Sequence, residues 1–124
     1  MIKIQLTGRK YEIDKDVKKY INRKLGHLDK YLPHNHKAIG MTVEIFRDEA
    51  GEPDNRYKVT AILQVPGSEI IAETSTINPH SAIDIVEQKL RLQIRKYKDK
   101  HTPRRVRLKE LFFRQKPEQG EEAE

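Results

Sequence analysis

The apolar residues of this chain repeat with two different periods, and the order of those periods leaves few folds open. Ile2, Ile4 and Leu6 alternate with Lys3, Gln5 and Thr7, the period of two expected of a strand with one buried face, spanning Met1 to Gly8. Val17, Ile21, Leu25, Leu28 and Leu32 then recur at steps of three and four until Pro33, a helical stripe for which Asp14 suits the N-cap. Three more alternating runs follow, Ile39 to Phe46, Tyr57 to Val65 and Ser68 to Thr76, with Pro66-Gly67 as a tight reversal between the last two. Ile83, Val86, Leu90, Ile94 and Tyr97 form a second helical stripe. Asn78 offers its cap, and Pro79 suits the first helical position, where a missing donor costs nothing.

Each of these elements has one apolar face to bury. The order predicts an α+β fold, a two-layer sandwich of β-α-β-β-β-α type, with two helices packed on one face of a four-stranded mostly antiparallel sheet. A right-handed crossover through the first helix would set the first strand parallel to the second, and two hairpins would link the remaining strands. Residues 1–101 are expected to form this domain, and residues 102–124 a flexible tail, basic and then acidic. Gly26 falls inside the first helical stripe, where glycine costs about 1 kcal/mol relative to alanine. It either permits the close approach of a neighbour or is merely tolerated.

Charge is distributed less evenly than the net value of +6 suggests. Gln115 to Glu124 holds one Lys and four Glu, which leaves +9 on the residues before it. Between Lys89 and Lys109 stand Lys89, Arg91, Arg95, Lys96, Lys98, Lys100, Arg104, Arg105, Arg107 and Lys109, with only Asp99 and Glu110 as nearby acids. Cations near a helix C-terminus complement its dipole, each by about 0.3 to 1 kcal/mol, but the excess continues past Pro103. Clustered Lys and Arg on one element are the electrostatic footprint of nucleic-acid binding, and that reading is preferred to simple solvation. The first helix adds Lys15, Lys18, Lys19, Arg23, Lys24 and Lys30 against Asp14, Asp16 and Asp29. Packed side by side, the two helices would join their basic faces into one surface.

Other chemistries find little support. The chain has no Cys, which excludes disulfides and thiolate metal sites. His34 and His36 lack a third ligand nearby and read as a solvated loop, so no metal and no cofactor is expected. Asp84, Glu87 and His80 form no evident acid-base constellation, and no nucleotide-binding or hydrolase motif occurs, so a binding protein is expected and not an enzyme. No apolar run reaches membrane-spanning length, and Met1 to Ile13 does not read as a signal peptide. Phe112 and Phe113 pack on the open face of the sheet or serve as a docking hook; both readings stay open.

Several stretches, in order, carry a resemblance: IQLTGRKYEI, KLGHLDKYL after the first helix, the Pro-Gly hairpin before IIAETS, and above all SAIDIVEQKLRLQIRKYKDK. From Met1 to Lys100 the sequence resembles the ribosome hibernation-promoting factor and ribosome-associated inhibitor family. The resemblance implies a cytoplasmic, monomeric factor made under stress or in stationary phase. It implies binding to the small ribosomal subunit and its ribosomal RNA at the decoding region, in the path of transfer RNA and messenger RNA, with inhibition of translation. Carried over by position, it implies RNA contacts at Lys24, Lys89, Gln93, Lys96, Lys98 and Lys100. The charge faces themselves add Arg23, Arg91 and Arg95.

Two departures stand out. The family commonly has Asp-Met-Tyr where this chain has Asn78-Pro79-His80, and often Arg where this chain has Leu92, with Arg91 one step round the helix. One step turns a side chain by about 100°, so that contact changes direction. The length resembles the short class, without the extra C-terminal domain of the long forms, and the tail is closer to the inhibitor type. The competing function is a general structured-RNA-binding protein or a regulator of another protein.

Overall fold

The computed structural model describes residues 1–33 and 37–101. Its elements are β1 (Ile4–Arg9), α1 (Lys15–Leu25), a 3-10 turn at Leu28–Tyr31, β2 (Gly40–Arg47), a second 3-10 turn at Pro53–Asn55, β3 (Tyr57–Val65), β4 (Ser68–Thr76) and α2 (Pro79–His101). The strands lie in the order β1-β2-β3-β4. β1 runs parallel to β2, and the two hairpins β2-β3 and β3-β4 are antiparallel. The expected α+β sandwich is therefore the observed one.

Register aligns the apolar alternation across all four strands. Ile4 pairs with Met41, Met41 with Leu63 and Leu63 with Ile70, while Leu6, Val43, Ala61 and Ala72 form the next row. These rows join Val17, Ile21 and Leu25 of α1 and Ile83, Val86, Leu90, Ile94 and Tyr97 of α2 in a single core. Strand residues of the other parity, such as Thr42, Glu44, Thr60 and Glu73, line the opposite face. Burying each large aliphatic side chain contributes about 1.5 to 3 kcal/mol, so the stripe of α2 is held firmly to the sheet.

Both helix starts follow their capping residues. Val17 N–H donates to Asp14 Oδ1 at 2.9 Å, and Ser81 N–H donates to Asn78 Oδ1 at 2.8 Å. The turn between β3 and β4 uses Gly67 at φ +78, a conformation open to glycine without a Cβ clash.

Two expectations need correction. The first helix does not run to Pro33; it ends at Leu25, with Gly26 as its C-cap, and Leu28 and Leu32 reach the core through the 3-10 turn and the residue after it. Gly26 is the site of close approach: Ile2 N–H donates to its carbonyl at 2.8 Å, and a Cβ there would lie 2.9 Å from Met1 Cε and 2.5 Å from Asn22 O. Ile39 is the second correction. It precedes β2 and is 70% exposed, although its N–H still donates to Gln64 O at 2.8 Å. The tail from 102 onward and the His34/His36 pair lie outside the described residues.

Replacing Gly26 with alanine forces either Met1 or the last turn of α1 to move. The expected loss is about 1 to 3 kcal/mol, the usual range for overpacking, read as a lower urea midpoint at unchanged m-value.

Candidate nucleic-acid interface

α1 and α2 lie side by side and run in the same direction, because contacts between them step forward together along both sequences. Asp16 Oδ2 meets His80 Nε2 at 2.9 Å. One turn on, Tyr20 O–H donates to Asp84 Oδ1 at 2.5 Å, and the Tyr20 ring lies 4.7 Å from that of His80. At the next turn Lys24 Nζ is 3.6 Å from Asp84 and 3.7 Å from Glu87. Last, the Arg91 guanidinium sits 4.8 Å above the ring of Tyr31. Residues four apart share a helix face, which is why Asp16, Tyr20 and Lys24 meet His80, Asp84 and Glu87 as a ladder.

This ladder divides the expected basic surface. The line of contact between the helices carries the acids Asp16, Asp84 and Glu87, so its first half is compensated. Lys24, one of the expected RNA contacts, lies among two carboxylates and near the Tyr20 ring. Arg23 stands beside it, exposed, with its guanidinium 5.1 Å from the centre of the same ring. The phenol of Tyr20 is held above its ordinary pKa, first by the hydrogen bond to Asp84 and then by burial.

The remaining candidates project from the second half of α2, on two flanks. Arg91, Arg95 and Lys98 share the flank that faces α1, as their spacing of four and three requires. Lys89, Gln93 and Lys96 share the flank facing β4. Lys89 Nζ donates to the Glu73 carbonyl at 2.9 Å, and Gln93 and Lys96 line a cleft of about 350 Å³ with Ser68, Glu69, Ile70 and Ile71. Lys89, Arg91, Gln93, Arg95, Lys96 and Lys98 are all exposed. Lys100 lies in the last turn of the same helix. Leu92 occupies the crest between the flanks and is 54% exposed. Tyr97 belongs to the core, 6% exposed, and its O–H donates to Pro66 O at 3.0 Å.

Among the described residues no group of three or more His, Asp or Glu is arranged to hold a metal ion, and no helix is long and apolar enough to cross a membrane. Sequence reasoning found the cations of α2 but missed the interhelix role of Asp16, His80, Asp84 and Glu87. The signal was present in their spacing of three and four, once the two helices are known to be neighbours.

A family model described as "Sigma 54 modulation protein / S30EA ribosomal protein" matches residues 4–102. The ribosome hibernation promotion factor of Lactococcus lactis subsp. cremoris is 32% identical over 99 residues, covering 79% of this chain and 50% of that protein. That of Deinococcus radiodurans is 32% identical over 102 residues, covering 82% and 51%. The ribosome hibernation promoting factor of Pseudomonas putida is 26% identical over 100 residues, covering 80% and 89%. The chain thus spans about half the length of the first two relatives and most of the third. In fold it is similar to a ribosomal subunit interface protein from Coxiella burnetii, with a TM-score of 0.64 at 22% identity over 78% of this chain and 98% of that one. The Thermus thermophilus Protein Y N-terminal domain is similar too, with a TM-score of 0.60 at 23% identity over 78% and 99%.

The Tyr20–Asp84 bond gives a test of the ladder. Tyr20→Phe is expected to cost about 1 to 2 kcal/mol near pH 8, since the acceptor is charged. Because the folded pKa of Tyr20 is raised above the unfolded value, its contribution is fully present below about pH 10 and fades as pH rises through the folded pKa. Urea unfolding of both proteins at pH 8 and in the alkaline range should show the gap narrowing; a constant gap would contradict the assignment.

Proposed function

The chain belongs to the Sigma 54 modulation protein / S30EA ribosomal protein family, and from that premise we propose that it binds the ribosome and holds it in a translationally idle state. The proposed site is the decoding region of the small subunit, where a bound protein would occupy the path of transfer RNA and messenger RNA. The protein would act there as a cytoplasmic monomer, by occupancy and not by catalysis. Residues 1–101 would form the ribosome-binding domain, and residues 102–124 an appended tail.

One observation carries this reading: the exposed cations of α2, from Lys89 to Lys98, stand on a helix whose other side is fixed in the core. Structured RNA is recognised largely through the geometry of its phosphates and 2′-hydroxyls, and a rigid cationic helix presents charge at fixed spacing to such a target. Lys89, Arg91, Arg95, Lys96 and Lys98 would contact phosphate, and Lys100 would continue the row. Gln93 can donate to phosphate or to a 2′-hydroxyl. Arg23 would add a cation from the edge of α1. Lys24 would act mainly by neutralising Asp84 and Glu87, which otherwise repel RNA from the groove between the helices. Names of the relatives point the same way: those from Lactococcus lactis and Deinococcus radiodurans are ribosome hibernation promotion factors.

Co-sedimentation of the full chain with isolated ribosomes, at low and moderate salt and with or without bound transfer RNA, tests the proposal. Stoichiometric binding that transfer RNA blocks is expected. Arg95→Glu with Lys96→Glu should weaken it at least tenfold and flatten the salt dependence, by about 0.7 to 0.9 in log–log slope for each phosphate that is no longer neutralised. Binding that ignores transfer RNA and both substitutions would overturn the site. Equal affinity for arbitrary RNA duplexes would favour a general RNA-binding protein.

A further inference from the structure

The cationic half of α2 does not end at its own surface. Tyr97 anchors it to the turn after β3, and that turn lies at the end of the sheet where β1 and β2 begin, since Gly40 pairs with Gln64 and Val65 with Ser68. The C-terminus of α1 reaches the same end, where Gly26 accepts from Ile2. Between them sits Tyr31, with the Arg91 guanidinium 4.8 Å from its ring centre and Lys30 Nζ 5.2 Å from it. One aromatic ring therefore joins the α2 cations to Lys30.

Beyond Lys30 opens a cleft of about 670 Å³, lined in part by Lys3, Lys30, Lys37, Met1 and Ile39. All three lysines are exposed. The acid of this cleft, Asp29, is already engaged by the N-terminal ammonium at 3.3 Å. Met1 and Ile39 are 71% and 70% exposed, so the rim is apolar between the cations. A positively charged groove with apolar and aromatic surface suits an unpaired nucleic-acid strand, whose backbone follows the charge while its bases leave water. A duplex hides its bases and would gain nothing from Met1 or Ile39. An acidic protein segment could use the lysines, but it would not explain their continuity with α2 through Tyr31.

Resting on the ribosome-binding reading, we infer that this cleft holds an unpaired segment of ribosomal RNA. Lys3, Lys30 and Lys37 lie along its phosphates, and Ile39 and Met1 lie against its bases. The bound RNA surface then extends from α2 past Tyr31 to the start of β2, well beyond the helical cations.

Three measurements test this on the full chain. In the wild type bound to isolated ribosomes, acetylation of Lys30 and Lys37 should drop severalfold while that of Lys58, exposed on β3 and paired with Glu73, stays unchanged; unchanged reactivity at Lys30 and Lys37 would overturn the inference. The variant Lys3→Glu/Lys30→Glu/Lys37→Glu should show a salt slope flatter by about 2, given roughly 0.7 per single-strand phosphate. If its slope and affinity match the wild type while Arg95→Glu/Lys96→Glu abolishes binding, the cleft is outside the interface and the ribosome reading stands. If neither variant changes binding, that reading fails as well. A photoreactive benzoylphenylalanine at position 39 should cross-link to RNA in the ribosome complex, and a cross-link to ribosomal protein alone would assign the cleft to a protein partner.

Discussion

Everything the surface of this protein can do depends on the apolar stripe of α2 staying against the sheet. Ile83, Val86, Leu90, Ile94 and Tyr97 are each almost wholly buried, and they fix the rotation of the helix about its axis. At about 100° per residue, that rotation leaves Arg91 and Arg95 on one side, Lys89 and Lys96 on the other and Leu92 between them. A helix free to turn would average these charges; this one cannot. The direction of each cation is thus set by hydrophobic packing and not by electrostatics.

Like charges this dense oppose folding of the segment that carries them, so their second half needs anchors. Tyr97 supplies one by donating to Pro66 O, and Lys89 supplies another by donating to Glu73 O. The latter keeps its charge while satisfying a carbonyl on the edge strand β4, so the anchor does not neutralise the surface. Cations in the last turns also meet the negative end of the helix dipole, which offsets part of their repulsion. In the first half of α2 the problem is solved differently. There His80, Asp84 and Glu87 engage Asp16, Tyr20 and Lys24 across the groove, and charge is spent on holding the helices together. Exposed pairs of this kind contribute little stability singly, about 0 to 1 kcal/mol, but they remove net charge from the groove. The same helix therefore has a half whose acids engage α1 and a half that displays the row of exposed cations.

Most of the fold was legible because period carries face. Alternation in β3 and β4 and the three-four spacing in α2 each point to one buried side, and the core rows bear this out. Gly26 shows where that reasoning stops. Leu28 and Leu32 continue the helical spacing of Val17, Ile21 and Leu25, yet the chain leaves the helix at Gly26 and keeps those leucines in the core by another path. Periodicity reports which residues are buried and not which backbone delivers them. Ile39 misled for a related reason: it continues the alternation of β2, but it precedes the strand and stays exposed on the rim of a cleft.

The candidate site was legible in a narrower sense. Charge alone marked α2, and the helix displays Arg91, Arg95 and Lys96 at its surface. The resemblance marked Lys24 as well, and there the sequence could not reveal that Asp84 and Glu87, far along the chain in another helix, would come within 4 Å of it. A cation's availability depends on its three-dimensional neighbours, which a count along the chain does not contain. Lys3, Lys30 and Lys37 make the converse case: they are scattered along the chain and look like ordinary surface lysines until the parallel pairing of β1 and β2 gathers them at one end of the sheet. In a fold whose strands and helices all finish at shared ends, the charge that matters to an extended polyanion is collected by topology as much as by any single helix.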